Sequence, residues 1–150
     1  MLASHLFHLF DNKKRKQMVD DLCRRIKQSN VNPDFILVTG LSGCLIAPAV
    51  ADLLKIQFVV VRNTMMCHSN YKVEGYRADL YRGIIVDDLV EQGNTVRHMW
   101  ETLNKHCKEC QMPMPIVQHV FCYDDTQQFD NMLTLTNRHF LNFNRIKIMR

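Results

Sequence analysis

Gly83-Ile84-Ile85-Val86-Asp87-Asp88-Leu89-Val90-Glu91-Gln92-Gly93-Asn94-Thr95 is the stretch whose residue types and order can do chemistry. An apolar run ends in two adjacent carboxylates, a short polar turn with Gly93 follows, and a helical pattern begins at Thr95. In an open α/β sheet, strands deliver acidic groups in this way to their carboxyl ends, where ligands bind. The turn can aim main-chain N–H groups at an anion, and the helix start adds the positive end of its dipole. Carboxylates able to hold sugar hydroxyls, beside a place for a phosphate, describe a site for a phosphorylated ribose.

A second loop has the same logic. Thr39-Gly40-Leu41-Ser42-Gly43-Cys44 sets two glycines between a strand and a helix. Glycine lets main-chain amides come close to a phosphate, and the helix start favours negative charge. Arg62 closes the next apolar run, where a guanidinium either grips pyrophosphate in a forked geometry or forms a surface ion pair.

Val86 to Thr95 resembles the phosphoribosyl pyrophosphate motif of type I phosphoribosyltransferases, and Gly40–Gly43 resembles that family's pyrophosphate loop. The run from Gly43 to Ala51, with Pro48, is most similar to the adenine branch. The resemblance implies that Asp87 and Asp88 bind the ribose hydroxyls, and that Glu91, Gln92, Gly93, Asn94 and Thr95 wrap the 5′-phosphate. Gly40, Leu41, Ser42 and Gly43, with Arg62, would hold pyrophosphate. It implies Mg²⁺ bridging pyrophosphate, ribose and water, held through the substrate, with a direct share for Asp87 and Asp88 left open. Tyr71-Lys72-Val73-Glu74-Gly75-Tyr76 is similar to the adenine branch's flexible loop, which would make Glu74 a proton-transfer group on a purine. Glu91 stands where hypoxanthine-type relatives carry Asp and is the other candidate acid or base. Four features depart from the pattern. Gln92 replaces a usual Thr, Asn94 often a Gly, Asn63 follows Arg62 in place of Lys, and Gly75-Tyr76 come in swapped order.

The elements that must position these groups can be read coarsely. A helix is expected from about Lys13 to Gln28, with Met18, Val19, Leu22, Cys23 and Ile26 on its buried face. Phe35–Thr39, Phe58–Val61, the run ending at Asp87 and Ile116–Tyr123 read as strands, the first three with both faces buried as parallel strands are. Gly40–Gly43 reads as a turn before a helix reaching about Leu54, and a further helix carries Val96, Met99, Trp100 and Leu103. Alternating strands and helices predict an α/β fold with a mostly parallel central sheet flanked by helices. The Asn63–Arg82 stretch is long for a connection, so it reads as a functional loop with room for a hairpin. Beyond it, Asp124–Asn142 has room for a short helix, and Arg145–Ile148 alternates like an edge strand.

The chain's 150 residues suit one domain, with a core over about 30–123 and a small hood from the N-terminal segment, residues 124–150, or both. Phe129, Phe140 and Phe143 are the aromatics there that could stack on a base. Hydrophobic content of 47% and charged content of 23% are ordinary for a globular protein. No apolar run approaches the ~20 residues that span a bilayer, and Met1–His8 lacks the order of a secretory signal. A cytoplasmic protein with reduced thiols is expected. His106 and Cys107-Lys108-Glu109-Cys110 lack the second cysteine pair that a structural zinc site wants. A net charge of +4 suits an anionic ligand. Lys13-Lys14-Arg15-Lys16 reads as a solvated helix turn rather than a nucleic-acid contact.

The expected partners are phosphoribosyl pyrophosphate and a small-molecule base, without nucleic acid or membrane, and with a homodimer left open. The expected activity is a glycosyltransferase reaction: ribose 5-phosphate passes to a nitrogenous base, a purine by the motif, and pyrophosphate leaves. The alternative is a phosphoribosyltransferase-like module that binds phosphoribosyl pyrophosphate or a nucleotide and regulates a partner.

Overall fold

Asp11 starts the first long helix: its side chain accepts the Lys14 N–H at 2.8 Å, occupying one of the donors a helix start leaves open. This helix, α1 (Asn12–Gln28), follows a 3₁₀ turn at Phe7–Phe10. The computed structural model describes residues 6–63, 71–124 and 133–150. After α1 come β1 (Phe35–Thr39), α2 (Gly40–Cys44), α3 (Ala47–Leu54), β2 (Gln57–Val61), β3 (Val73–Glu74) and β4 (Arg82–Asp87). They are followed by α4 (Asn94–Glu109), β5 (Ile116–Cys122), α5 (Leu135–Phe143) and β6 (Lys147–Met149).

The strands form one sheet in the order β3-β2-β1-β4-β5-β6. Every neighbouring pair is parallel except β2–β3, which is antiparallel. Strand residues alternate between two apolar layers, as the period of two requires. Ile36, Val38, Ile84 and Val86 pack with Val19, Leu22 and Ile26 of α1 and Ala47 and Val50 of α3. Phe35, Leu37, Val59, Val61 and Ile85 pack with Val96, Met99 and Leu103 of α4 and Leu141 of α5. This is why β1 and β4 read as continuous hydrophobic runs: helices cover both faces.

Two irregularities are built into the sheet. Gly83 lies under the ring of Phe35, and a Cβ there would sit 2.3 Å from a ring carbon, so no larger residue fits without displacing the ring. Between Gly83↔Val117 and Ile85↔Val120 the register of β5 gains one residue, a bulge that turns both valines toward the α4 layer.

Some elements differ from the sequence reading. Gly40–Gly43, expected as a turn, is helical, and α2 and α3 are separate helices rather than one. Pro48 explains the break: it occupies the first turn of α3, where its missing N–H leaves no bond unmade. The expected edge strand is β6 and the expected hairpin strand is β3. Lys13, Lys14 and Lys16 are exposed on the first turn of α1, with Lys16 paired to Asp20 at 2.6 Å. Arg25 of α1 donates to the carbonyls of Cys122 on β5 at 2.6 Å and Met149 on β6 at 3.0 Å. No helix of the described residues is long and apolar enough to cross a membrane.

Candidate functional site

The sheet order reverses between β1 and β4. From β1 the chain moves outward to β2, and from β4 it moves the other way to β5. The helices after the two strands pack on opposite faces, so their first turns part and leave a crevice at the carboxyl ends. That crevice encloses about 560 Å³ and is lined by Thr39, Gly40, Ser42, Asn63, Asp87, Asp88, Leu89, Val90, Glu91, Gln92, Gly93, Asn94, Thr95 and Val96.

Asp87 and Asp88 end β4 at 5% and 9% exposure. Each carboxylate accepts the N–H of the next residue, Asp88 N–H to Asp87 Oδ1 at 3.0 Å and Leu89 N–H to Asp88 Oδ1 at 2.9 Å. Their carbonyls accept the N–H groups of Tyr123 and Asp124 at 3.1 and 2.9 Å. Both side chains are therefore held by the backbone around them. Burial pushes the Asp87 carboxyl well above the usual carboxylate range, and the neighbouring Asp88 adds to the rise. The shift favours the protonated form of Asp87.

This shift has a measurable consequence. A folded-state pKa above the unfolded value of ~3.9 means that the native state binds more protons than the unfolded one, so stability falls as pH rises through that window. Asp87→Asn keeps the acceptor for the Asp88 amide and removes the titration. Its melting temperature should decline less between acid and mildly alkaline pH than the wild type's, and should exceed it at the alkaline end. Parallel melting curves would refute the assignment.

Gly93 precedes α4 at φ +87°, a left-handed conformation that favours glycine. No side chain caps α4 there, and Asn94, Thr95 and Val96 all line the crevice. An uncapped first turn directed into a polar cleft suits an anion. On the opposite wall, the Thr39 hydroxyl donates its one hydrogen to the Val61 carbonyl at 2.6 Å and stands 3.1 Å from Asn63 Oδ1. The Tyr123 hydroxyl donates to the Ser42 carbonyl at 2.8 Å and so ties the α2 turn to the far side of the dyad. Burial, then the nearby carboxylates of Asp88, Asp87 and Asp124, raise the pKa of that hydroxyl and keep it a donor.

The sequence-predicted residues divide accordingly. Asp87, Asp88, Glu91, Gln92, Gly93, Asn94, Thr95, Gly40 and Ser42 meet in the crevice. Leu41 and Gly43 do not line it. Leu41 projects outward at 57% exposure, and Gly43 is buried against Val38, where a Cβ would lie 2.6 Å from the valine Cβ. Arg62 and Glu74 also lie outside the lining. They face each other across the β2–β3 edge at 3.4 Å. Residues 64–70 of the expected closing loop lie outside the described residues, as does Phe129. Phe140 is occupied in packing, edge-on to Trp100 at 5.5 Å and under Arg97, while Phe143 is exposed. Sequence reasoning missed Thr39, Asn63 and Tyr123. The first two adjoin recognised motifs, so proximity alone could have flagged them.

This arrangement is the fold of the type I phosphoribosyltransferases. Orotate phosphoribosyltransferase from Aeropyrum pernix superimposes with a TM-score of 0.68 at 16% identity, over 98% of this chain and 75% of that one. Adenine phosphoribosyltransferase from Saccharomyces cerevisiae, solved with an imino-altritol bisphosphate and adenine, gives 0.66 at 17% identity over 99% and 84%. A xanthine-guanine-hypoxanthine phosphoribosyltransferase from Helicobacter pylori gives 0.50 at 11% over 75% and 74%. No protein-family model matches the sequence, and no curated protein does.

Proposed function

We propose that the crevice binds phosphoribosyl pyrophosphate and transfers its ribose 5-phosphate group to a nitrogenous base. The observation that supports this best is the buried Asp87–Asp88 pair beside the uncapped start of α4, at the reversal of the strand order. Asp87 and Asp88 accept hydrogen bonds from the ribose hydroxyls. The main-chain amides from Glu91 to Thr95, with the side chains of Gln92, Asn94 and Thr95, hold the 5′-phosphate. The Gly40–Ser42 turn receives the pyrophosphate, which leaves with the electrons of its bond to the anomeric carbon as a base nitrogen bonds there. Among the described residues, three carboxylates and no lysine or arginine line the crevice, so a polyanionic substrate needs a cation brought with it. Mg²⁺ fits that demand: Asp87 and Asp88 are the residues that would hold it, and it would supply positive charge against departing pyrophosphate. The motif's likeness to the adenine branch favours a purine as acceptor.

With Asp87 and Asp88 assigned to the ribose, Glu91 is the remaining carboxylate of the described lining that can exchange a proton with the base. Glu74 would first have to leave Arg62. Glu91→Gln should lower turnover by roughly 10²–10⁴-fold with phosphoribosyl pyrophosphate affinity nearly unchanged, since such groups act chiefly in the transition state. If Glu74→Gln instead produces that fall, the role passes to Glu74.

The absence of a cation from the described lining, together with the engagement of Arg62 by Glu74, also favours a second reading: a module that binds phosphoribosyl pyrophosphate and regulates a partner. One assay separates the two. The protein is incubated with Mg²⁺, phosphoribosyl pyrophosphate and a panel of purines and pyrimidines, and pyrophosphate release is followed. Release with one base supports the enzyme. Binding without release from any base supports the module.

A further inference from the structure

Asn137 of α5 is 3% exposed and bonded to a loop more than forty residues before it. Its Nδ2 donates to the Gln92 carbonyl at 2.8 Å and to Asn94 Oδ1 at 2.7 Å, which uses both hydrogens of the group. Asn94 Nδ2 in turn donates to Gln92 Oε1 at 3.2 Å. The Thr134 N–H reaches the same Gln92 carbonyl at 3.4 Å. Gly93 lies against this segment, with its Cβ direction meeting Leu133 at 3.0 Å and Asn137 at 3.2 Å.

A glycine peptide turns over easily, and here the turn matters. In a trans peptide the carbonyl and the N–H point opposite ways. With the Gln92 carbonyl drawn back to Asn137 and Thr134, the Gly93 N–H is directed to the cleft side. A flipped peptide would instead present carbonyl lone pairs to an anion. The side chains carry the same logic further. Gln92 Oε1 is committed to Asn94, so what Gln92 offers the crevice is its Nε2, an N–H donor.

We propose that Asn137 is the positioning residue of the anion loop: through Gln92 and Asn94 it locks the loop with its donors toward a sugar phosphate. This rests on the phosphate-binding reading of the crevice. It also gives the two departures from the motif, Gln92 and Asn94, one shared cause. An amide chain anchored on α5 replaces the hydroxyl and the small residue usual at those positions.

Calorimetry on the whole chain with two probes, ribose 5-phosphate and inorganic pyrophosphate with Mg²⁺, tests it. Asn137→Ala should weaken ribose 5-phosphate by at least about tenfold, the cost of unpaired buried groups, and leave pyrophosphate little changed. Asn94→Ala, at an exposed position, removes the bonds to Asn137 Nδ2 and Gln92 Oε1 but leaves the bond from Asn137 to the Gln92 carbonyl in place. It should give a smaller loss of the same kind, and it keeps the test open if Asn137→Ala unfolds. Asn137→Asp should bind poorly at alkaline pH, where a carboxylate faces the Gln92 carbonyl. Its deficit relative to wild type should shrink at about pH 5, where the buried acid regains a proton to donate. Folded variants that bind ribose 5-phosphate as wild type does, or that lose both probes equally, would overturn the proposal and leave the crevice reading intact. A wild type that binds neither probe overturns both. Turnover of any base does not enter the readout.

Discussion

Replacing Asp87 and Asp88 together by Asn is expected to leave a folded chain that has lost phosphoribosyl pyrophosphate. Hydrogen bonds to a charged group are worth about 1.5–3 kcal/mol each, so two lost carboxylates correspond to roughly 10²–10⁴-fold in affinity. The fold should survive because Asn Oδ1 can still accept the Asp88 and Leu89 amides that the carboxylates now hold. Above neutral pH the double variant should also melt higher, because the repulsion between two buried acids is gone. Calorimetry on the double variant decides the matter: unchanged affinity in a cooperatively folding protein would remove the dyad from the ribose site.

The largest effect on stability should come from Phe35→Ala. Phe35 is fully buried, lies over Gly83 and meets Tyr76 edge-on at 5.8 Å. Neighbours cannot close the gap, because the partner under the ring is a glycine with no side chain to swing inward. Phe→Ala in a core costs about 3–5 kcal/mol, and this site belongs at the upper end. Since whole domains are stable by only about 5–15 kcal/mol, the variant should unfold at a far lower urea concentration. Gly83→Ala approaches the same contact from the other side and should destabilise by about 1–3 kcal/mol through overpacking. A Phe35→Ala midpoint close to wild type would mean that the ring does not carry this layer.

How much could be read beforehand depended on how local each feature is. Asp87, Asp88, Gly93 and Thr95 were legible because a strand end, a turn and a helix start follow one another directly along the chain. The burial of β1 and β4 on both faces was legible for a similar reason, since a parallel strand between two helical layers has no polar side to show. Tyr123 and Asn137 were not. Their partners, Ser42 and Gln92, lie 81 and 45 residues away, and no periodicity encodes a hydrogen bond at that separation. Arg62 shows the other limit. Its type suited either a pyrophosphate clamp or an ion pair, and only the pairing of β2 with β3, which brings Glu74 alongside, gives it a partner. Gly43 shows a third: its smallness serves close packing on Val38 rather than approach to a ligand, and both uses select the same residue.

The grip of Arg25 on Cys122 and Met149 has a consequence for how the protein is made. The arginine and its more distant acceptor are 124 residues apart. At a synthesis rate of ~5–20 residues per second, the ribosome needs roughly 6–25 s to deliver that acceptor after Arg25 has been joined to the chain. For the first part of that interval α1 displays Leu22 and Ile26 before β4 has been made, and β5 follows only later. A nascent chain of this kind calls for shielding by chaperones until β6 is delivered, and release of residues 147–149 should be the moment at which protease resistance appears.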